Sequence, residues 1–204
     1  MSRDKTQSHI RIIEAAKNEF MKYGFVDASL RRIASEAGIQ VGGLYKHFEN
    51  KEEMFAALVD SAIEGFMDYF HSVENNYFDE LDNVDIARIW DEQKETVKIM
   101  EYIYEHIDEF KLIICKSQGT RYETFTHDIA IKEEETTLRY MQELRKRNIP
   151  IKFVEEKEFH LLVTASVDAI FQAVVHDFTK EQAIHYANTL QRFYLPAWKA
   201  LFGI

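Results

Sequence analysis

The chain has 204 residues, a formal net charge of −10 and a single cysteine. That length allows one large domain or two small ones around a sizeable core, and the lone cysteine excludes an intramolecular disulfide and suits a reducing compartment. The acidic total argues against a nucleic-acid binder until it is split: residues 1–50 hold 8 Lys/Arg against 6 Asp/Glu, and the rest hold 17 against 29, the asymmetry that a basic contact surface on an acidic body leaves.

Seven glycines and two prolines punctuate the chain sparsely, which predicts long helices and an all-α fold. Four of the glycines fall by position 43, so the N-terminal part is expected to use short elements and tight turns. No apolar run approaches the roughly 20 residues of a bilayer span. The opening MSRDKTQSHIRII lacks the apolar stretch of a signal peptide. A soluble cytoplasmic protein with no membrane partner is expected.

The first helix is predicted over about Gln7–Tyr23, with Ile10, Ile13, Ala16, Phe20 and Tyr23 on one face and Gly24 as the C-terminal stop. Ser29 is a good N-cap for a short helix Leu30–Ala37, which Gly38 ends, with Ile39 as an apolar plug in the turn. A third short helix covers about Gln40–His47. Asn50 then caps a fourth, with Glu53 as capping-box partner. Two short helices around a glycine-centred turn make a helix-turn-helix. Beyond residue 50 helices are expected over about Lys51–Glu74, Asp85–His106, Asp108–Lys116, Tyr122–Arg147, Glu155–Asp177 and Lys180–Phe202, with the polar NNYFDELDN stretch, Asn148 and Pro150 as breaks. The domain boundary is placed near residue 50, at the start of a helix shared by both parts.

Gly42 and Gly43 together cost a helix roughly 2 kcal/mol relative to alanines. In a DNA-reading helix-turn-helix the second helix enters the major groove by its N-terminal residues, and missing side chains let the backbone come close. Leu44 and Phe48 point back into the small core, while Tyr45, Lys46 and His47 project outward within reach of phosphate oxygens. Lys51 stands in the first turn of its helix, where a cation opposes the macrodipole. A phosphate at that N-terminus removes the conflict; otherwise Lys51 is simply an exposed lysine.

The stretches IRIIEAAKNEF (Ile10–Phe20), Gly24-Phe25, SLRRIASEAGI (Ser29–Ile39) and GGLYKHFENKEEM (Gly42–Met54) resemble the tetracycline-repressor (TetR) family of bacterial regulators over about residues 7–66. The resemblance implies a helix-turn-helix DNA-binding domain over 1–50, with its motif at 29–48. Over 51–204 it implies a helical ligand-binding and dimerisation domain. A homodimeric, ligand-responsive repressor of a near-palindromic operator follows from it. Position by position it makes Ser29 a phosphate contact and Tyr45, His47 and Lys51 backbone clamps. Gln40, Val41 and Gly43 lie at base edges. Two departures stand out. Ser or Thr is usual where Gln40 stands, so Gln40 reads a base instead. An acidic or neutral residue is common at Arg32, which touches phosphate or is merely solvated. With Arg31, Gly42 and Lys46 these residues form the candidate DNA-contacting set.

The ligand domain resembles the family in layout only. Phe66, Phe70, Trp90, Met100, Tyr104, Tyr122 and Phe125 are candidate pocket residues for an unknown small-molecule effector, each also readable as plain core. The helix Glu155–Asp177 is apolar round most of its circumference, which implies burial on more than one side, and the last helix is similar. Leu162, Ser166, Ile170, Ala173, Leu190, Tyr194 and Trp198 are the candidate dimer seam.

A ferritin-like di-metal enzyme is the main rival for a long-helix chain, but no histidine here has a glutamate three residues before it. Glu123–His127 and Glu181–His185 read as i,i+4 surface pairs, and Cys115 as a small buried hydrophobe. A purely structural helical partner would leave the glycine pair and Lys51 unexplained. No catalytic residue, metal or cofactor is expected.

Overall fold

A computed structural model of the chain describes residues 2–81 and 95–204. Every regular element among them is helical: α1 (Ser2–Asp27), α2 (Leu30–Glu36), α3 (Val41–Leu44), α4 (Lys51–Glu80), α5 (Glu95–Glu105), α6 (Ile107–Cys115), α7 (Phe125–Lys146), α8 (Glu156–Val175) and α9 (Lys180–Phe202). Trp90, one of the expected pocket residues, lies outside the described residues. The chain forms two compact units, Met1–Gly65 with His106–Glu123, and Phe66–Glu105 with Thr124–Ile204. This division differs from the expected boundary at residue 50, because α4 and the α6 segment contribute to the first unit.

In that first unit α1 buries Ile12, Ala15, Ala16, Glu19 and Phe20. The stripe is rotated from the expected one, since Ile10 is 53% and Tyr23 40% exposed while Ile12 is fully buried. Gly24 breaks α1 with φ 75° and ψ 169°, a conformation side chains resist. The next N–H, of Phe25, is taken by the Lys116 carbonyl at 2.9 Å. Gly38 turns the chain after α2 with φ 69°. α3 is only four residues, shorter than Gln40–His47, and residues 45–47 continue as turns bonded to the Gly43 and Leu44 carbonyls. Phe20, Phe25 and Phe55 form an edge-and-stack cluster with centroids 5.2–5.9 Å apart. α6 adds Phe110, Leu112 and Ile113 to the buried set and ends at Cys115, which is exposed rather than buried as expected.

Asn50 caps α4 as expected, its Oδ1 accepting the Glu53 N–H at 2.9 Å. The Glu53 carboxylate does not reach back but takes the Arg121 guanidinium at 3.2 Å. α4 runs straight through the expected break after Glu74. Val73, Tyr77 and Phe78 extend the apolar face of Phe66 and Phe70 and line a cavity, and that contact holds the polar NNYFDE turn helical.

The second unit takes α4 from Phe66 onward with α5, α7, α8 and α9. α5 packs on α9, α7 on α8, and α8 on α9. Met100, Ala173, Ala183 and Ala187 form a fully buried cluster where small residues let helices approach closely. Phe66, Phe125 and Phe171 form a second cluster at 5.8–6.4 Å. α9 starts with a reciprocal capping box between Thr179 and Gln182 and ends at Gly203 in the left-handed region. Contrary to the expectation from apolar runs, α8 is long and apolar enough to cross a membrane by length and composition. Here it packs between α7 and α9, with Asp168 on its exposed side.

Candidate nucleic-acid interface and effector cavity

The turn between α1 and α2 is organised by one carboxylate that the sequence reading passed over. Glu19, 4% exposed, accepts the Ser29 backbone N–H at 2.7 Å and the Arg32 Nε at 2.7 Å. Burial pushes its pKa up, but the Arg32 and Ser29 hydrogen bonds outweigh burial and hold it below the ordinary glutamate value. Arg32 also donates to the Asp27 carbonyl at 2.9 Å and lies 4.3 Å over the Tyr23 ring. Arg32 thus ties α2 to the end of α1, with its side chain 49% exposed. The signal was present in the sequence, because Glu19 continues the Ile12, Ala15, Ala16 stripe at helical spacing.

Lys51 too is engaged within the chain. Its ammonium donates to the carbonyls of Phe25 (2.6 Å), Val26 (3.2 Å) and Ala28 (3.2 Å) and stands 4.4 Å over the Phe25 ring. An ammonium has three protons, and three carbonyls receive them. These carbonyls offset the conflict with the α4 dipole from inside the chain. Burial lowers the Lys51 pKa, with Asp27 and Glu19 opposing that shift.

The other expected contact residues lie on or beside α3. Ser29 is half-buried and its hydroxyl makes no capping bond. Arg31, Gln40, Gly42 and Lys46 are exposed, Val41 and Gly43 half-exposed, and Tyr45 is 54% exposed. His47 is half-buried, its ring 5.6 Å from that of His9, which stacks on Phe48 at 5.0 Å. Leu44 and Phe48 are buried, as expected. Neither Gly42 nor Gly43 has a positive φ. A Cβ at Gly42 would meet nothing within 4 Å, and one at Gly43 only the Ile39 side chain at 3.4 Å. No internal packing requires glycine at 42, so the bare patch is a property of the surface.

The second unit holds a cavity of about 260 Å³ lined from α4, α5, α7, α8 and α9. Of the expected pocket residues, Phe66 and Phe70 line it. Met100 sits in the alanine cluster, and Phe125 stands behind Phe66 and Phe171. The single proton of the Tyr104 hydroxyl is shared between the Ala173 and Phe178 carbonyls, at 3.1 and 2.9 Å. Tyr122 belongs to the first unit, where its hydroxyl meets Asp60. The expected dimer residues Ser166, Ile170, Leu190, Tyr194 and Trp198 line the cavity. Ala173 is fully buried and Leu162 is 44% exposed. A helix apolar all round announces two buried sides without saying which is internal, and most of these residues fall on the internal one.

This geometry defines a class: an all-helical protein with an N-terminal helix-turn-helix that presents a glycine-bare first turn. Residues 12–58 match the bacterial regulatory proteins of the tetR family. An HTH-type transcriptional regulator of Staphylococcus aureus is 22% identical over 168 residues, covering 74% of this chain and 90% of the relative. The fold is shared with the TetR-family regulator PfmR of Thermus thermophilus, at 19% identity, TM-score 0.57 and coverage of 91% and 94% of the two chains. It is shared too with FadR of Bacillus subtilis, solved in complex with stearoyl-CoA, at 13% identity, TM-score 0.55 and coverage of 91% and 97%. The segment 12–58 is thus of the TetR helix-turn-helix type, and the fold as a whole is the one these regulators share. The family is a regulatory, DNA-binding one.

Proposed function

We propose that the chain is a cytoplasmic, homodimeric repressor that leaves a near-palindromic operator when a small molecule fills the second unit's cavity. The observation that carries the DNA contact is the exposed, unpacked Gly42 at the start of α3, flanked by exposed Gln40, Tyr45 and Lys46. Gln40, Val41, Gly42 and Gly43 approach base edges, while Arg31, Tyr45, Lys46, His47 and the Ser29 hydroxyl take phosphates. Arg32 and Lys51 hold the turn that presents them.

Two α3 helices reading successive major grooves about 34 Å apart need a two-fold partner. The outer face of α8 and α9 supports that partner, with Leu161 67%, Leu162 44%, Val175 46% and Phe193 70% exposed. Apolar side chains on neighbouring helices of this kind fit a four-helix seam. Of the seam expected from sequence, that face keeps Leu162 and leaves out the residues that line the cavity. α4 is one continuous helix whose first half belongs to the DNA-reading unit and whose second half lines the cavity. Ligand contact with Phe66, Phe70 or Tyr77 thus bears on the element that starts beside the recognition turn.

The test is electrophoretic retention of duplexes from the gene's own upstream region. Retention of one duplex that survives excess random DNA is expected, with a two-fold symmetric footprint. Equal retention of every sequence, or none at low salt, overturns the proposal.

A further inference from the structure

Building on the reading of the cavity as an effector site, we propose that it takes lipophilic cations: an organic ammonium or similar onium group on an alkyl or aromatic body. Three of its lining residues are carboxylates, Glu74, Glu95 and Glu133, and none of the described lining residues is Lys, Arg or His. Glu74 is already balanced, pairing with Arg139 and accepting the Thr136 hydroxyl at 3.3 Å. Glu133 is different. It projects from α7, accepts the Thr137 hydroxyl at a long 3.5 Å, and pairs with no cation among the described residues. It lines the cavity and is half-buried there.

Burial raises the Glu133 pKa, with Glu95 adding to the shift against the Thr137 hydrogen bond. Tyr69, also in the lining, is pushed up to about 12 by burial and by the carboxylates of Glu95 and Glu101. A carboxyl in such surroundings resists ionising, and a cation that brings its own apolar body favours its charged form. Eleven of the twenty-seven described lining residues are aromatic, among them Tyr77, Tyr140, Tyr194 and Trp198. Their ring faces favour a cation further and accept its hydrocarbon. An amphiphile with a carboxylate head would bring a like charge towards Glu133, and a neutral one would bring it no counter-charge.

The test uses the full chain and three probes of equal alkyl length below micellar concentrations: decyltrimethylammonium, decanol and decanoate, titrated calorimetrically. The ammonium is expected to bind about ten-fold or more tighter than the alcohol, with decanoate weakest. Glu133→Gln should remove that preference while leaving the alcohol's affinity in place. Glu133→Asp, which keeps the charge, should retain part of it, and both variants are checked for an unchanged thermal midpoint. Equal binding of the three probes, no binding of any, decanoate in the lead, or an unaltered preference in a folded Glu133→Gln protein overturns the assignment. Duplex retention measured beside each titration separates the two readings. Lost duplex binding with the ammonium preference intact sinks only the regulatory proposal, and the reverse sinks only the ligand class.

Discussion

At single positions the chain separates residues that build the recognition turn from those that present it. Gly42 is the sharpest case, because an alanine there has open space, an ordinary backbone conformation and a better helix propensity by about 1 kcal/mol. Gly42→Ala should therefore leave the thermal midpoint unchanged or raised and yet weaken operator binding about ten-fold or more. Loss of folding in parallel with loss of binding would refute a surface role. Lys51→Met should behave oppositely, costing about 1–3 kcal/mol in denaturant unfolding by stranding carbonyls at the α1–α2 turn. The salt dependence of its residual binding should keep the parent slope, whereas Lys46→Ala should flatten that slope by about one counterion. Glu19 supplies a pH signature. Its folded pKa lies below 4.5, so its stabilising contribution is complete above that value and is lost as the pH falls through the lower folded one. Acid unfolding of the first unit should begin there, and Glu19→Gln should flatten the transition while lowering stability at neutral pH.

Among the helices, legibility followed local chemistry. Start signals served well where a side chain does the capping: Asn50 before α4, and the chain from Lys180 to Phe202, whose bounds match the expected ones. Gly24, Gly38 and the buried pair Leu44 and Phe48 were equally readable. Long-range partnerships were not. Nothing in the local sequence of Lys51 names the carbonyls of residues 25–28, and nothing near Tyr122 names Asp60. The exchange of cavity-lining for dimer-seam residues on α8 and α9 has the same root, since periodicity marks an apolar side but not its neighbour. Leu161 and Phe193 now carry the prediction at this scale. Phe193→Glu should convert a dimer to a monomer in sedimentation, with the helical signal preserved and operator retention lost. A folded dimer from that variant would show that the seam lies elsewhere.

For the molecule as a whole, the proposed regulation depends on both grooves being met at once. A coupling of about 1–3 kcal/mol between cavity and recognition turn would change operator affinity roughly 5–150-fold. By reciprocity the operator must weaken the effector by the same factor. Effector titrations with and without saturating duplex should show that equality. An effector whose affinity ignores the duplex would break the link.

The placement of Cys115 makes that coupling measurable in space. As the sole thiol of the sequence, exposed at the end of α6 in the DNA-reading unit, it accepts one spin or fluorescent label per copy without any substitution. Pairwise ruler measurements across an assembled pair, before and after effector, would then record how far apart the reading heads stand and by how many ångströms they shift.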